Sequence, residues 1–303
     1  MIVDCFTHIW DDVAALGAAV AAVDGALVDG AGTRVLGESA PEAGIHRHAT
    51  ASEPVDRAIV VGFQSRYLGV DYPNQRLHAH VESAPDRLIG FAGIDPSEPR
   101  SAIDELARAQ DEWGMAGIAV APAAQDIHPS HTQSMRVYAE AARRGMPVLF
   151  HSGITWGRLT KLAYGHPMLL DEVARELPDL RILIAHLGFP WYDEAIALLA
   201  RHPNVFAEIS LTQRQSWRAY QAMVSAWECG VMDKLLFGSG FPFATASAAI
   251  EALYSINHVC HGTDLPTIPR ESVRGIVEQD ALERLGIPPR QPRRTEPDHP
   301  PQP

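Results

Sequence analysis

Three histidines stand where apolar runs stop. His151 follows Val148, Leu149 and Phe150 and is trailed by Gly153; His186 follows Ile182 to Ala185 and is trailed by Gly188; His8 closes a run that starts at Ile2. Imidazole titrates near neutrality, so it can take or give a proton at ordinary pH, and its unprotonated nitrogen can bind a metal. A lone histidine at a strand end is about as often a hydrogen-bonded structural residue. Three at equivalent strand ends argue for one shared site. A fourth run, residues 234–238, continues into Ser239 and Gly240 where the others reach histidine.

Short apolar runs bounded by Gly and Pro read as buried strands. Eight are predicted: residues 2–6, 57–61, 88–93, 117–120, 147–151, 181–186, 205–209 and 234–238. Helices are predicted at 74–83, 99–113, 134–144, 167–177, 191–201, 217–229, 246–254 and 272–285. Strict alternation favours parallel βα units, and eight such units close a barrel. The predicted fold class is therefore α/β, a (β/α)8 TIM barrel. An open doubly wound sheet is the runner-up, disfavoured because no Gly-rich phosphate loop follows the first strand. In a barrel, His8, His151 and His186 share the mouth at the C-terminal strand ends. Alternation along the first strand places Phe6 and His8 on one face and Cys5 and Thr7 on the other. Residues 11–51 form a long excursion, with a helix near 11–23 and the length of a lid. One barrel domain is expected over residues 1–287, followed by a disordered tail at 288–303, rich in Pro, Arg and Gln.

The chain has 303 residues, 46% apolar, with a net charge of -12 and no basic block. That balance disfavours nucleic acid and anionic membrane as partners and leaves a small-molecule substrate. Cys5, Cys229 and Cys260 have neither metal-type nor disulfide-framework spacing, which suits a reducing compartment. No leader peptide and no transmembrane helix are expected, since charged and polar residues interrupt every long apolar run. The expected location is the cytoplasm.

Other residues carry weaker signals. Arg66 and Arg158 follow the second and fifth strands and are candidates to hold a substrate carboxylate, with surface ion pairing as the alternative. Trp156 and Trp191 follow the fifth and sixth strands and could wall an aromatic substrate, with ordinary packing as the alternative. His46 and His48 lie in the first excursion and are expected to be solvated; His128 and His131 are expected to be exposed.

Together these residues resemble the amidohydrolase superfamily, in the branch of aminocarboxymuconate-semialdehyde decarboxylase and related aromatic-acid decarboxylases. The resemblance spans about residues 2–287. It rests on Asn74, the Pro85-Asp86-Arg87 turn, Gly90-Phe91, Asp95-Pro96, Gly117-Ile118 before Pro122, the stretch from Gly145 through His151 to Gly153, Ile184 through His186 to Gly188, and Phe237-Gly238-Ser239 with Phe241-Pro242. It implies a metal-dependent-hydrolase type of barrel, a homodimer, and His186 as an acid/base group. It also exposes two departures. The first strand of the family usually ends His-x-His, both metal ligands; here Phe6 stands in the first place and only His8 remains. The eighth strand usually brings an aspartate ligand; here the position is Gly240. No firmly held metal is therefore expected. Were Zn2+ or Mn2+ bound, His8, His151 and His186 would have to hold it, with Glu208 as a further donor. The function expected is decarboxylation, C–C lyase or hydrolytic chemistry on a small carboxylated or aromatic molecule, by histidine acid/base catalysis. The alternatives are a metal-free isomerase, cyclase or dehydratase, and a non-catalytic binding relative.

Overall fold

In the computed structural model, eight strands pair in chain order: β1 (Val3–Thr7), β2 (Arg57–Val61), β3 (Leu88–Gly93), β4 (Gly117–Val120), β5 (Val148–Phe150), β6 (Ile182–Ile184), β7 (Val205–Glu208) and β8 (Leu235–Leu236). The residues described are 1–10, 27–28, 34–35, 43–70, 72–153, 159–212 and 215–288. The helix expected near 11–23, Trp156, Arg158 and the tail from 289 lie outside them. Every neighbouring pair of strands is parallel. The barrel closes where Cys5 N–H donates to Phe237 O at 2.8 Å, His8 N–H to Phe241 O at 2.9 Å and Gly240 N–H to Phe6 O at 3.1 Å. Closure removes both sheet edges and overturns the open-sheet alternative. Among the described residues, no helix is long and apolar enough to cross a membrane.

Alternate residues of each strand separate into two cores. Ile59, Phe91, Ala119, Leu149, Leu183, Phe206 and Leu236 fill the lumen together with Val3, Cys5 and Phe6. Their neighbours Val60, Val148, Phe150, Ile182, Ile184, Val205 and Leu235 pack outward against the helices. Each large side chain so buried contributes on the order of 2 kcal/mol by leaving water. Outer helices include Ile45–Ala51, Asn74–Ser83, Pro99–Asp111, Thr132–Arg143, Tyr192–Arg201, Ser216–Glu228 and Ala246–Tyr254. Asn74 stitches its helix to β3: its Nδ2 donates to Gly93 O at 2.9 Å and its Oδ1 accepts from Gly93 N–H at 2.8 Å.

Several sequence expectations change. β1 is not a regular alternation, because its register shifts between Asp4 and Thr7. Cys5 therefore faces the lumen beside Phe6, and only Thr7 points outward. The extra residue of a bulge breaks the period of two. Strand six ends at Ile184, and His186 sits in a tight turn, Ala185–Gly188. The segment expected as one helix at 167–177 is a 3-10 turn, Pro167–Leu169, running into the helix Leu170–Glu176. The last predicted helix is two, Arg270–Glu278 and Ala281–Arg284.

Candidate active site

β1, β5 and β6 carry His8, His151 and His186 to one patch at the C-terminal mouth. The ring centroids of His8 and His151 are 6.2 Å apart, and those of His151 and His186 5.0 Å apart. Phe6 stands among them. Its centroid lies 4.8 Å from His8, 5.6 Å from His151 and 4.6 Å from His186. His8 and His151 are half-buried, and His186 is 8% exposed.

The partners of each ring fix its tautomer. His8 Nδ1 lies 2.7 Å from Val61 O. A carbonyl can only accept, so Nδ1 carries the proton and Nε2 the lone pair. His186 Nδ1 lies 2.7 Å from Ser210 Oγ, and that hydroxyl donates to Glu208 Oε1 at 2.9 Å. With Glu208 ionised, Ser210 accepts from Nδ1–H, so Nε2 of His186 again carries the lone pair. His151 Nδ1 is buried with no hydrogen-bond partner among the described residues. Leaving such an atom unpaired costs about 1–3 kcal/mol, which a suitable ligand atom would recover.

Backbone strain serves the same geometry. His186 and Leu187 have φ values of 54° and 48°. Each costs on the order of 1–3 kcal/mol for a residue with a side chain. Glu208 helps to offset this by accepting His186 N–H at 2.6 Å and Ser210 N–H at 2.7 Å. The carboxylate fits because position 238 is glycine; a Cβ there would collide with Glu208 Oε2. Asp4, also fully buried, accepts Ser239 N–H at 2.8 Å and Phe6 N–H at 3.2 Å, which joins β1 to the loop after β8.

Burial sets the charges. Desolvation lowers His8 to about 4 and His186 to about 3, with His8 adding to the latter. His151 falls well below its ordinary range for the same reason, helped by both other histidines. Desolvation raises Asp4 to about 6 and Glu208 to about 7. All three imidazoles are neutral at pH 7, and the free Nε2 of His8 is a hydrogen-bond acceptor.

Not every candidate joins the site. Arg66 is exposed on the loop after β2, its backbone N–H held by Asp95 at 2.8 Å. Trp191 is half-buried, with its ring 4.8 Å from that of His166. His48, expected to be solvated, is fully buried outside the barrel. Its Nε2 lies 2.9 Å from Thr7 Oγ1 and its Nδ1 3.1 Å from His80 Nε2. His131 is exposed as expected, but His128 is half-buried, its Nδ1 3.1 Å from Ser130 Oγ. Sequence reasoning weighed Glu208 only as a metal donor and missed Ser210 and Asp4. The available signal was an acidic residue ending an otherwise apolar strand, since a carboxylate is seldom buried without partners.

A closed (β/α)8 barrel with an imidazole-lined mouth at the C-terminal strand ends defines the class: a TIM-barrel enzyme. A family model described as amidohydrolase matches residues 3–294, and the chain belongs to the amidohydrolase family. No protein of curated function matches the sequence. Among solved structures, an uncharacterized TIM-barrel protein from Bordetella bronchiseptica is 20% identical, over 94% of this chain and 99% of that one, with a TM-score of 0.69. A dihydroxybenzoic acid decarboxylase from Polaromonas sp. JS666, with bound manganese and the inhibitor 2-nitroresorcinol, is 15% identical over 94% and 96%, with a TM-score of 0.65. A probable 2-pyrone-4,6-dicarboxylic acid hydrolase from Acinetobacter baumannii is 16% identical over 94% and 99%, with a TM-score of 0.61. At these identities the likeness establishes the fold.

The residues of this chain do not supply the ligand set that the resemblance implies for a metal. Phe6 puts an aromatic ring where the resemblance calls for an imidazole. Gly240 supplies no donor, and its φ of 77° disfavours any side chain. Leu211 already fills the space; a Cβ on Gly240 would lie 2.6 Å from Leu211 Cδ2. Among the described residues, no group of three or more His, Cys, Asp or Glu side chains is arranged to hold a metal ion.

Proposed function

We propose that the protein is a metal-independent lyase that decarboxylates a small carboxylated aromatic molecule, with His186 as the proton-transfer residue. The observation that carries this reading is the ring of three neutral imidazoles around Phe6. In decarboxylation, His186 in the tautomer that carries its proton on Nε2 delivers that proton to the ring carbon that bears the carboxylate. The C–C bonding pair returns to the ring as CO2 leaves. His8 Nε2 accepts a hydrogen bond from a neighbouring hydroxyl of the substrate, and His151 donates one to its carboxylate. Phe6 and Leu211 form a poorly solvating wall, and a carboxylate that departs as neutral CO2 loses its charge against that wall. The decarboxylases of the same fold support the choice of reaction, and the loss of two ligand positions supports metal independence.

Hydrolysis of a lactone is the second reading, favoured by the fold shared with the hydrolase; there the same Nε2 would accept a proton from water. The test is a panel of hydroxybenzoates and a pyrone dicarboxylate, assayed for CO2 release and for ring opening, with chelator and with added manganese. CO2 release undiminished by chelator is the expected result. Turnover that appears only with added manganese would sink metal independence, and ring opening without CO2 would move the reading to hydrolysis.

A further inference from the structure

We propose that Glu208, acting through the Ser210 hydroxyl, is the proton store behind His186, so that the imidazole passes a proton to or from substrate without becoming an imidazolium. This deepens the proposed reaction and rests on His186 being its proton-transfer residue.

The geometry is a continuous chain. His186 Nδ1 is 2.7 Å from Ser210 Oγ, and Ser210 Oγ is 2.9 Å from Glu208 Oε1. Glu208 and Ser210 are fully buried, so water cannot short-circuit the path. Two backbone N–H groups, of His186 and Ser210, hold the carboxylate in place. The chain has two mirror states. In the base state Nδ1–H donates to Ser210, Ser210 donates to ionised Glu208, and Nε2 carries a lone pair. In the acid state Glu208 O–H donates to Ser210, Ser210 donates to Nδ1, and Nε2–H faces the mouth.

Going from acid to base, three protons each move one place. The Nε2 proton goes to the substrate carbon, the Ser210 proton goes to Nδ1, and the Glu208 proton goes to Ser210 Oγ. One O–H bond breaks at Glu208, one C–H bond forms on substrate, and His186 is neutral at both ends. After each turnover a proton from water at the mouth enters at His186 Nε2, and the same three shifts run in reverse return one to Glu208. The arrangement answers a physical difficulty. A charged imidazolium is costly beside the Phe6 ring and two other imidazoles, whereas a neutral carboxyl in the same interior is cheap. The charged or titratable groups facing the chain are Asp4 and Cys5 on β1, whose fields act on Glu208 or are felt from it, and His8 and His151, which face His186.

The first test needs no substrate. Long-range proton–nitrogen NMR spectra of the labelled wild-type chain, assigned with His186→Asn, report the tautomer of His186. The expected result is the Nδ1–H form at pH 8 and the Nε2–H form below about pH 6, with no imidazolium between. Ser210→Ala and Glu208→Gln should each abolish the switch, while Asp4→Asn should shift its midpoint and leave it intact. A single tautomer throughout, or an imidazolium signal, would overturn the relay. The second test uses a turned-over substrate. Ser210→Ala and Glu208→Gln should each lower kcat at least about tenfold with KM within about twofold, and the double variant should be no worse than the single ones. Additive losses would show two unconnected roles and refute the chain. If no panel compound is turned over, the proposed reaction falls, and the NMR result alone decides the relay.

Discussion

β1 separates two histidine clusters that a sequence cannot tell apart. On its inner side His8 joins His151 and His186 around Phe6; on its outer side Thr7 meets His48, which meets His80. In the outer cluster both nitrogens of His48 are committed. Thr7 donates its hydroxyl proton to Ile59 O at 2.8 Å, so it accepts from His48 Nε2–H, and His48 Nδ1 accepts from His80 Nε2–H. In the mouth, His8 and His186 each commit Nδ1 alone. Burial by itself therefore does not separate structural from reactive imidazoles, since it lowers His48 to about 3 as it does His186. The separation comes from whether protein atoms use both ring nitrogens.

The largest effect expected tests that contrast directly. His186→Asn should keep the fold and lower turnover by about a hundredfold to ten-thousandfold, the range of general acid–base catalysis. His151→Asn should cost less, because without a metal it orients rather than transfers protons. His48→Asn should leave kcat per folded molecule unchanged. Steady-state kinetics on the three variants decides, and a His48→Asn variant that folds yet loses kcat would erase the distinction.

The next effect is on stability against pH. A histidine held neutral contributes fully above its unfolded value of 6.5, and that contribution is lost as pH falls. Asp4 and Glu208 act in the opposite sense, because their raised values keep them protonated in the native state while the unfolded chain ionises at 3.8 and 4.5. Between about pH 6 and 4.5, four imidazoles against two carboxyls leave the unfolded chain binding about two more protons. Stability should then fall on the order of 3 kcal/mol per pH unit of acidification. Denaturant titrations at several pH values measure the slope. His48→Asn should flatten it by about one proton and Glu208→Gln should steepen it by one; equal slopes in all three proteins would contradict the charge assignment.

A smaller loss is expected from the outer cluster at neutral pH. His48→Ala removes the partner of Thr7 and His80, and should cost about 1–3 kcal/mol in chemical denaturation. No loss would mean that the outer network is incidental. The smallest effect probes the absent metal ligand. Gly240→Ala forces a Cβ into a left-handed conformation against Leu211 and should cost about 1–2 kcal/mol. Added manganese should leave the melting temperature of the wild type unchanged, and a rise with concentration would show a bound ion.

Much of the barrel was legible because strand signals are local. Val148 to Phe150 and Ile182 to Ile184 are apolar runs whose neighbours, Pro147 or Gly188, mark their limits without reference to the rest of the chain. The convergence of His8, His151 and His186 followed once parallel strands were ordered, since all C-terminal ends must share one mouth. That Phe6 and Gly240 stand where metal donors are expected came from the resemblance to the amidohydrolase superfamily and not from any local signal.

What the tertiary structure alone decided is who partners whom. The bulge between Asp4 and Thr7 turned Cys5 inward, and no two-residue period contains it. His48 became a core residue because Thr7, 41 positions away, needed a donor. Leu211 came to fill the space beside Gly240, and Glu208 was joined to His186 across 22 residues and to Ser210 across two. Types and spacing determined which residues could do chemistry. The fate of each ring nitrogen and carboxylate oxygen was set by hydrogen bonds between distant parts of the chain, which form only when closure of the barrel brings those atoms within 3 Å or so of each other.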